Sequence, residues 1–310
     1  MLRYRLFLAL SRFVYHAPRR VGYGFTDLVA ALAYLFNVRA RRVAEDNVRH
    51  ALGPGATPAA VRAAVRGCFR AAARYYADLA RTPRMTPDRF VRDNLRTHGF
   101  EHIEAASRAG KGVIVATIHY GNPEYVAQSM SAWGYRYLAL IEPLRPQPLA
   151  DLVQRLRSSQ GQTFVEVGRA GIKAALRHLK CGGVVCIVCD RDIQHGGESV
   201  PFFGCTARIP SGAVDLARHT GATIVPAVTR RVGLDHFELY VEPPLELIRT
   251  GRVEEDRRAN TAALISRFEP YLRRDPSQWF VLEERIWPQH AAAPRAASSV
   301  AGAHTRGSGR

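Results

Sequence analysis

The residues best suited to acid–base chemistry are His119 and Glu124, five positions apart after a dense apolar run. An imidazole titrates near neutral pH, and a carboxylate on one ring nitrogen fixes the tautomer and raises the basicity of the other. Such a pair can take a proton from an alcohol as the alcohol attacks an ester or thioester carbonyl, without a covalent enzyme intermediate. We therefore predict that His119 is a general base and that Glu124 orients it.

The local sequence predicts a strand, a tight turn and a helix around this pair. Residues 113–118 are apolar and rich in β-branched side chains, which is typical of a strand buried on both faces. Asn122 is a strong N-cap, Pro123 suits the first helical position, and Glu124 suits the helix dipole. Ligands of open α/β sheets bind beyond the carboxyl ends of the strands, so an active site is expected here.

A second group of charged residues follows another apolar run. Asp190 ends the run 184–190, and Arg191 and Asp192 come directly after it. Because strand ends meet at one rim of a sheet, we predict that these three residues line the same cleft as His119 and bind substrate. Salt bridging among the three is the structural alternative.

The rest of the chain alternates strand-like and helix-like segments. The strands are predicted at 112–118, 135–141, 163–167, 184–190, 223–229 and 236–241, with helices between most of them. This pattern predicts an α/β fold with a mostly parallel central sheet flanked by helices, preceded by a basic, partly apolar N-terminal helical region. We expect a membrane-associating region at 1–95, a catalytic domain at 96–288 and a disordered tail at 289–310.

Charge is concentrated at the N-terminus. The chain has a formal net charge of +17, and its first 100 residues hold 18 arginines against six acids. Such a surface suits an anionic partner, either a membrane or a nucleic acid. No recognition helix, RNA-binding motif or zinc module is recognisable, which argues against nucleic acid.

Two N-terminal apolar stretches, 6–15 and 21–38, are interrupted by Arg12 and Asp27 respectively. Neither reaches the roughly 20 uninterrupted apolar residues of a typical membrane span. The flanking arginines favour an interfacial helix or a short re-entrant hairpin. A buried helix hairpin of a soluble protein is the alternative.

The five cysteines do not predict a disulfide framework or a metal site. Their number is odd, and Cys186 and Cys189 lie within one strand-like run. Positions i and i+3 of a strand face opposite sides of the sheet, so this pair cannot close on one metal ion. We expect Cys186 and Cys189 to be reduced core thiols, and we expect no metal and no cofactor.

The amino-acid sequences of these motifs resemble those of a known enzyme family. His119-Tyr-Gly-Asn-Pro-Glu124 is similar to the first motif, His-x4-Asp/Glu, of the glycerolipid acyltransferase superfamily. It is most similar to the branch that includes bacterial lipid A late acyltransferases and phosphatidylinositol mannoside acyltransferases. Residues 41–53 resemble the Arg-Arg…Asn-Leu block of that branch, and 190–192, 200–204 and 210–212 resemble its later motifs. The similarity covers about residues 1–288.

The resemblance implies an O-acyltransferase that moves a fatty acyl group to a hydroxyl of a membrane glycolipid or lysophospholipid. The donor would be acyl-CoA or acyl-carrier protein, and the enzyme would lie at the cytoplasmic face of the bacterial plasma membrane, peripheral or shallowly inserted. His119 and Glu124 would be catalytic, and Arg157 would bind a substrate phosphate or polarise the carbonyl. Arg155 is the alternative match to that arginine. The motif sequences at 190–192 and 202–204 favour a mannoside or general glycolipid acceptor.

Two other functions stay open at this point. A thioester or ester hydrolase would use the same dyad to activate water in place of an acceptor hydroxyl. A basic nucleic-acid-binding protein would account for the net charge alone.

Overall fold

A computed structural model describes residues 2–287 of the chain. The chain begins with four helices that pack on one another: α1 (Leu2–His16), α2 (Arg19–Phe36), α3 (Val38–Leu52) and α4 (Pro58–Arg81). Thr57 caps α4, and its hydroxyl accepts a hydrogen bond from Ala60 N at 3.2 Å. The predicted tail, 289–310, lies outside the described residues.

A seven-stranded sheet forms the centre of the remaining chain. Its strands are β1 (Leu95–His98), β2 (Val113–Thr117), β3 (Tyr137–Ile141), β4 (Thr163–Glu166), β5 (Val184–Val188), β8 (Thr223–Arg231) and β9 (Phe237–Val241). The spatial order is β1-β9-β8-β2-β5-β3-β4, and every neighbouring pair is parallel except β8 and β9. The predicted α/β class with a mostly parallel sheet is confirmed.

Helices and a separate hairpin complete the fold. The helices are α5 (Pro87–Asn94), α6 (Glu101–Arg108), α7 (Pro123–Gln128), α8 (Gln147–Arg157), α9 (Arg169–Lys180), α10 (Gly212–Thr220), α11 (Val253–Ser266) and α12 (Glu269–Arg274). The hairpin consists of β6 (Glu198–Phe202) and β7 (Cys205–Ile209). The sequence predicted neither this hairpin nor β1.

Both faces of the sheet are covered by apolar side chains. Ile114 and Cys189 belong to the core cluster on one face, while Val115 and Cys186 pack with the cluster on the other. The two cysteines of the CxxC therefore face opposite sides of the sheet, as strand alternation predicted.

Within residues 2–287, no individual helix combines the length and apolar composition that a membrane crossing requires. Helices α2 and α3 reach that length and apolar composition only when they are counted together. The angle between them is 94°.

Candidate active site

His119 lies at the carboxyl end of β2 beside Asp190, which follows β5. The parallel ladder pairs Thr117 with Val188, so the residues two positions further along each chain emerge side by side. The Nδ1 atom of His119 is 2.7 Å from Oδ1 of Asp190, and the His119 backbone N–H donates to Oδ2 at 2.9 Å. The sheet register thus forms a histidine–carboxylate pair at the rim where an active site was predicted.

Asp190 is completely buried behind the imidazole. The indole N–H of Trp279 donates to its Oδ2 atom at 2.8 Å, adding to the two bonds from His119. Burial on its own would raise the pKa of Asp190, but the charge of His119 and these hydrogen bonds hold that pKa below its ordinary value. The residue therefore carries an ionised carboxylate that fixes the ring of His119.

Because Nδ1 is engaged, Nε2 is the nitrogen of His119 that can meet a substrate. The His119 side chain is 25% exposed and lines a cavity, whereas Asp190 does not line it. This geometry differs from the prediction that Asp190 contacts substrate directly.

The predicted hydrogen bond between Glu124 and His119 is not formed among the described residues. Glu124 instead accepts from the Tyr75 hydroxyl at 2.5 Å and from Arg157 Nε at 2.9 Å. Glu124 lies in the first turn of α7, and its side chain points towards α4 and α8. In addition, Nδ1 of His119 is already hydrogen-bonded to Asp190. Whether Glu124 takes part in catalysis stays a prediction.

Arg157 ends α8 and lines the same cavity, while the alternative Arg155 is exposed and does not. The Nη2 atom of Arg157 donates to the Tyr75 hydroxyl at 3.0 Å, which closes a half-buried triangle of Tyr75, Glu124 and Arg157. Burial opposes the guanidinium charge, but Glu124 and Tyr75 outweigh it and raise the pKa of Arg157. Its Nη1 makes no hydrogen bond to any part of the chain that the structure describes.

Arg191 and Asp192 also line the cavity, but both are engaged by protein groups. Arg191 lies 3.2 Å from Glu142, 3.4 Å from Glu283 and 3.6 Å from Glu284. Asp192 accepts hydrogen bonds from the backbone N–H groups of Gly196 and Gly197 at 3.1 and 2.9 Å. The alternative of salt bridging among residues 190–192 is not observed within the described residues, because Arg191 and Asp192 have other partners.

The cavity that these residues share has a volume of about 880 Å³ and a largely apolar lining. It enters the sheet between β3 and β5, whose pairing ends at Ala139 and Cys186 although both strands continue. Beyond that point β3 stays with β4 and β5 stays with β2. The cavity is lined by residues of the separated strand ends (Leu140, Ile141, Ile187 and Val188) and by aromatic side chains (Phe100, Tyr137 and Phe164).

Several residues of the site carried no separate sequence signal. Tyr75 and Trp279 contact the charged groups from distant parts of the chain, and only the tertiary fold brings them there.

Asn122 was predicted as a helix cap, and its Oδ1 does accept from Tyr125 N at 3.0 Å. Its Nδ2 also donates to buried Asp78 of α4 at 2.7 Å, which fixes the turn between His119 and Glu124 to the N-terminal helices.

Among residues 2–287 no three His, Cys, Asp or Glu side chains are arranged to hold a metal ion.

Comparison with known proteins identifies the family. The sequence model described as bacterial lipid A biosynthesis acyltransferase matches residues 1–287. A phosphatidylinositol mannoside acyltransferase of Mycobacterium tuberculosis is 28% identical over 215 residues, covering 68% of this chain and 66% of the relative. The alignment thus spans just under two thirds of that relative's length.

Two further relatives extend the comparison. The phosphatidylinositol mannoside acyltransferase of Mycolicibacterium smegmatis is 27% identical over 222 residues, which is 71% of each chain. The lipid A biosynthesis palmitoleoyltransferase of Escherichia coli is 25% identical over 212 residues, which is 64% of each chain. Because the family model covers nearly the whole sequence, the chain belongs to the bacterial lipid A biosynthesis acyltransferase family.

Proposed function

We propose that the protein is an O-acyltransferase that moves a fatty acyl group from a thioester to a hydroxyl of a membrane glycolipid. The observation that carries this proposal is the His119–Asp190 pair at the wall of a large apolar cavity, in a chain of this family. The pair supplies a base, and the cavity offers room for a hydrocarbon chain next to it.

The reaction needs one proton transfer and one exchange of bonds at the carbonyl carbon. His119 Nε2 takes the proton of the acceptor hydroxyl as its oxygen attacks the thioester carbonyl. The resulting tetrahedral intermediate expels the thiolate, which receives the proton from the imidazolium. Asp190 holds the ring and stabilises its transient positive charge, and no acyl-enzyme forms.

The acyl chain would lie in the opening between β3 and β5. An apolar lining of this size suits hydrocarbon, and burying each methylene there contributes about 0.8 kcal/mol. Acyl-CoA and acyl-carrier protein present the same thioester, so both are candidate donors.

Glu124 and Arg157 would act as a unit beside the base. Glu124 and Tyr75 fix two nitrogens of the guanidinium, leaving Nη1 to bind the carbonyl oxygen or a substrate phosphate. This proposal keeps Arg157 as a substrate-binding residue and gives Glu124 the task of positioning it. Arg191, with three carboxylates around it, would instead hold the walls of the cavity together.

We place the N-terminal helices against anionic lipid. Helix α2 exposes Leu28, Leu32, Leu35 and Phe36, the last of them to 81%, within the most basic third of the chain. An apolar surface surrounded by arginines suits the interface of a bilayer whose headgroups are negative. A peripheral or shallowly inserted position at the cytoplasmic face would give access to both a lipid acceptor and an acyl thioester.

The names of the relatives support a glycolipid as the acceptor class. Their names refer to phosphatidylinositol mannosides and to lipid A, and both are glycolipids. A lysophospholipid acceptor would need the same chemistry.

The test is an acyl-transfer assay with labelled acyl thioester and vesicles that contain mannosylated phosphatidylinositol, a lipid A precursor or lysophospholipid. We expect an acylated glycolipid with the wild-type protein and a loss of at least about 100-fold with His119→Ala. Wild-type activity in the folded His119→Ala variant would contradict the proposal. Release of free fatty acid at a rate independent of any acceptor would show a hydrolase instead.

A further inference from the structure

The last described segment, residues 279–287, crosses the carboxyl ends of the strands and touches both members of the His119–Asp190 pair. We call it the strap. The backbone N–H of Phe280 donates to the His119 carbonyl at 3.0 Å, and the Trp279 indole donates to Asp190 at 2.8 Å. The Phe280 ring also packs edge-on against the imidazole, with 5.6 Å between the ring centroids. The position of the pair therefore depends on the position of the strap.

One side chain from the N-terminal helices holds the strap by its backbone. Asn47 of α3 is 1% exposed, and its Nδ2 donates to the carbonyls of Val281 and Glu284 at 3.3 and 3.0 Å. Its Oδ1 accepts from the backbone N–H of Ile286 at 3.1 Å. All hydrogen-bonding groups of one amide are thus used on a single segment more than 230 positions away in sequence.

The chemistry of these contacts requires an amide. Asp at this position would offer no donor to the two carbonyls, and Leu, which has a similar shape, would offer neither donor nor acceptor. Each loss would leave strap backbone groups without hydrogen-bond partners in the interior, which destabilises the position of the strap. Asn47 lies in the motif at 41–53, to which the proposed reaction assigns no chemical task.

We propose that Asn47 is a positioning residue for the His119–Asp190 pair and that it acts through the strap. Asn47 fixes residues 281–286, and this in turn fixes Trp279 on Asp190 and Phe280 on His119. The inference rests on the proposed acyl transfer for its kinetic readout, and a second readout is independent of it.

The chain supplies a matched control in Asn260. This residue is also fully buried and also holds a backbone segment, accepting from Ile248 N at 2.8 Å and donating to Ile248 O at 2.9 Å. It lies in α11 and does not line the cavity. Asn260→Leu therefore removes a comparable buried amide without disturbing the strap.

The experiment compares Asn47→Leu, Asn260→Leu, Trp279→Phe and the double variant Asn47→Leu/Trp279→Phe in the full-length protein. For Asn47→Leu we expect kcat to fall by roughly 10- to 100-fold and KM for the acyl thioester to change much less, because the strap contributes only residues 280–283 to a lining that comes mostly from the sheet and its helices. Asn260→Leu should keep the wild-type kcat. The kcat of the double variant should be little lower than that of the less active single variant, because both changes disturb the same series of contacts from Asn47 to Asp190.

Hydrogen exchange supplies the readout that needs no activity. In Asn47→Leu, amide exchange should accelerate both in 279–287 and in the turn 117–122, and in Asn260→Leu it should not. Faster exchange confined to the strap, or a kcat equal to that of Asn260→Leu, would overturn the inference. If the wild-type protein transferred no acyl group, the proposed function would fail, and exchange in 117–122 would still decide the inference.

Discussion

At the scale of residues, the site depends on which carboxylate meets the imidazole. Glu124 is near His119 in sequence, but Asp190 is its neighbour in the sheet and bonds to Nδ1 at 2.7 Å. The sequence indicated that both His119 and Asp190 end buried strands. It carried no signal that β2 and β5 are adjacent, because β3 and β4 lie between them in the chain. The sequence therefore predicted Glu124, the carboxylate nearer in sequence, as the partner of His119. The observed partner is Asp190, which follows the neighbouring strand.

Replacing Asp190 by Asn should lower kcat by about 10²- to 10⁴-fold with little change in KM, because an amide neither stabilises the imidazolium nor fixes the correct tautomer. Steady-state kinetics with a thioester donor would measure this. The account would be contradicted if Asp190→Asn, shown to be folded, kept more than about half of the wild-type kcat.

Glu124 and Arg157 should behave as one unit in a double-mutant cycle. Because Glu124 is bonded to Arg157, Glu124→Gln and Arg157→Gln should share most of their loss of kcat/KM, and the double variant should be little worse than either single variant. Independent, additive losses at these two positions, with Glu124 coupled to His119 instead, would favour the predicted His119–Glu124 dyad.

Asp190 should also make stability depend on pH. Its pKa is lower in the folded protein than in the unfolded chain, so its stabilising contribution is complete above the unfolded value of about 4 and is lost as pH falls towards the folded value. The free energy of unfolding, measured from pH 6 to pH 3, should fall less steeply for Asp190→Asn than for the wild type. Parallel curves would show that this carboxylate does not carry the effect.

At the scale of elements, periodicity and capping residues predicted most of the sheet and the helices that position the site. Six predicted strands were confirmed within a few residues, as was the cap Asn122. The short strand β1 was missed because only one of its four residues is buried, which leaves no alternating pattern. The hairpin β6–β7 was also missed, because residues 200–204 were interpreted only as a family motif.

The contact between α4 and the turn before the strap should tolerate no added methyl group. A Cβ on Gly67 would lie 2.4 Å from Ser277 Cβ and 2.9 Å from its carbonyl oxygen. Gly67→Ala should therefore destabilise the protein by roughly 1–3 kcal/mol and lower kcat as the strap moves. Thermal unfolding and kinetics would measure both effects.

Gly24→Ala in α2 is the matched control, since a Cβ there meets no atom within 4 Å. It should stabilise the protein by about 0.5–1 kcal/mol through helix propensity. A Gly67→Ala variant as stable as Gly24→Ala would show that the packing of α4 on this turn is looser than the structure indicates.

At the scale of the whole molecule, the sequence indicated the basic N-terminal third, and the structure adds which apolar side chains are exposed there. Leu28→Ser/Leu32→Ser should weaken binding to anionic vesicles by at least about tenfold, because burying each leucine contributes about 1.5–3 kcal/mol. Vesicle co-sedimentation at several salt concentrations would measure this. Val232→Ser/Ile248→Ser, which changes exposed residues outside the N-terminal helices, should bind like the wild type. Equal losses in both variants would exclude a specific lipid-facing surface on α2.

The most direct test of the central claim is the rate of acyl transfer from a labelled thioester to a glycolipid hydroxyl, measured for wild type, His119→Ala and Asp190→Asn in the same vesicles. The account predicts an acceptor-dependent product with the wild type and losses of at least about 100-fold in both variants, with their folds intact. Acyl transfer that persists at the wild-type rate in either variant would contradict it.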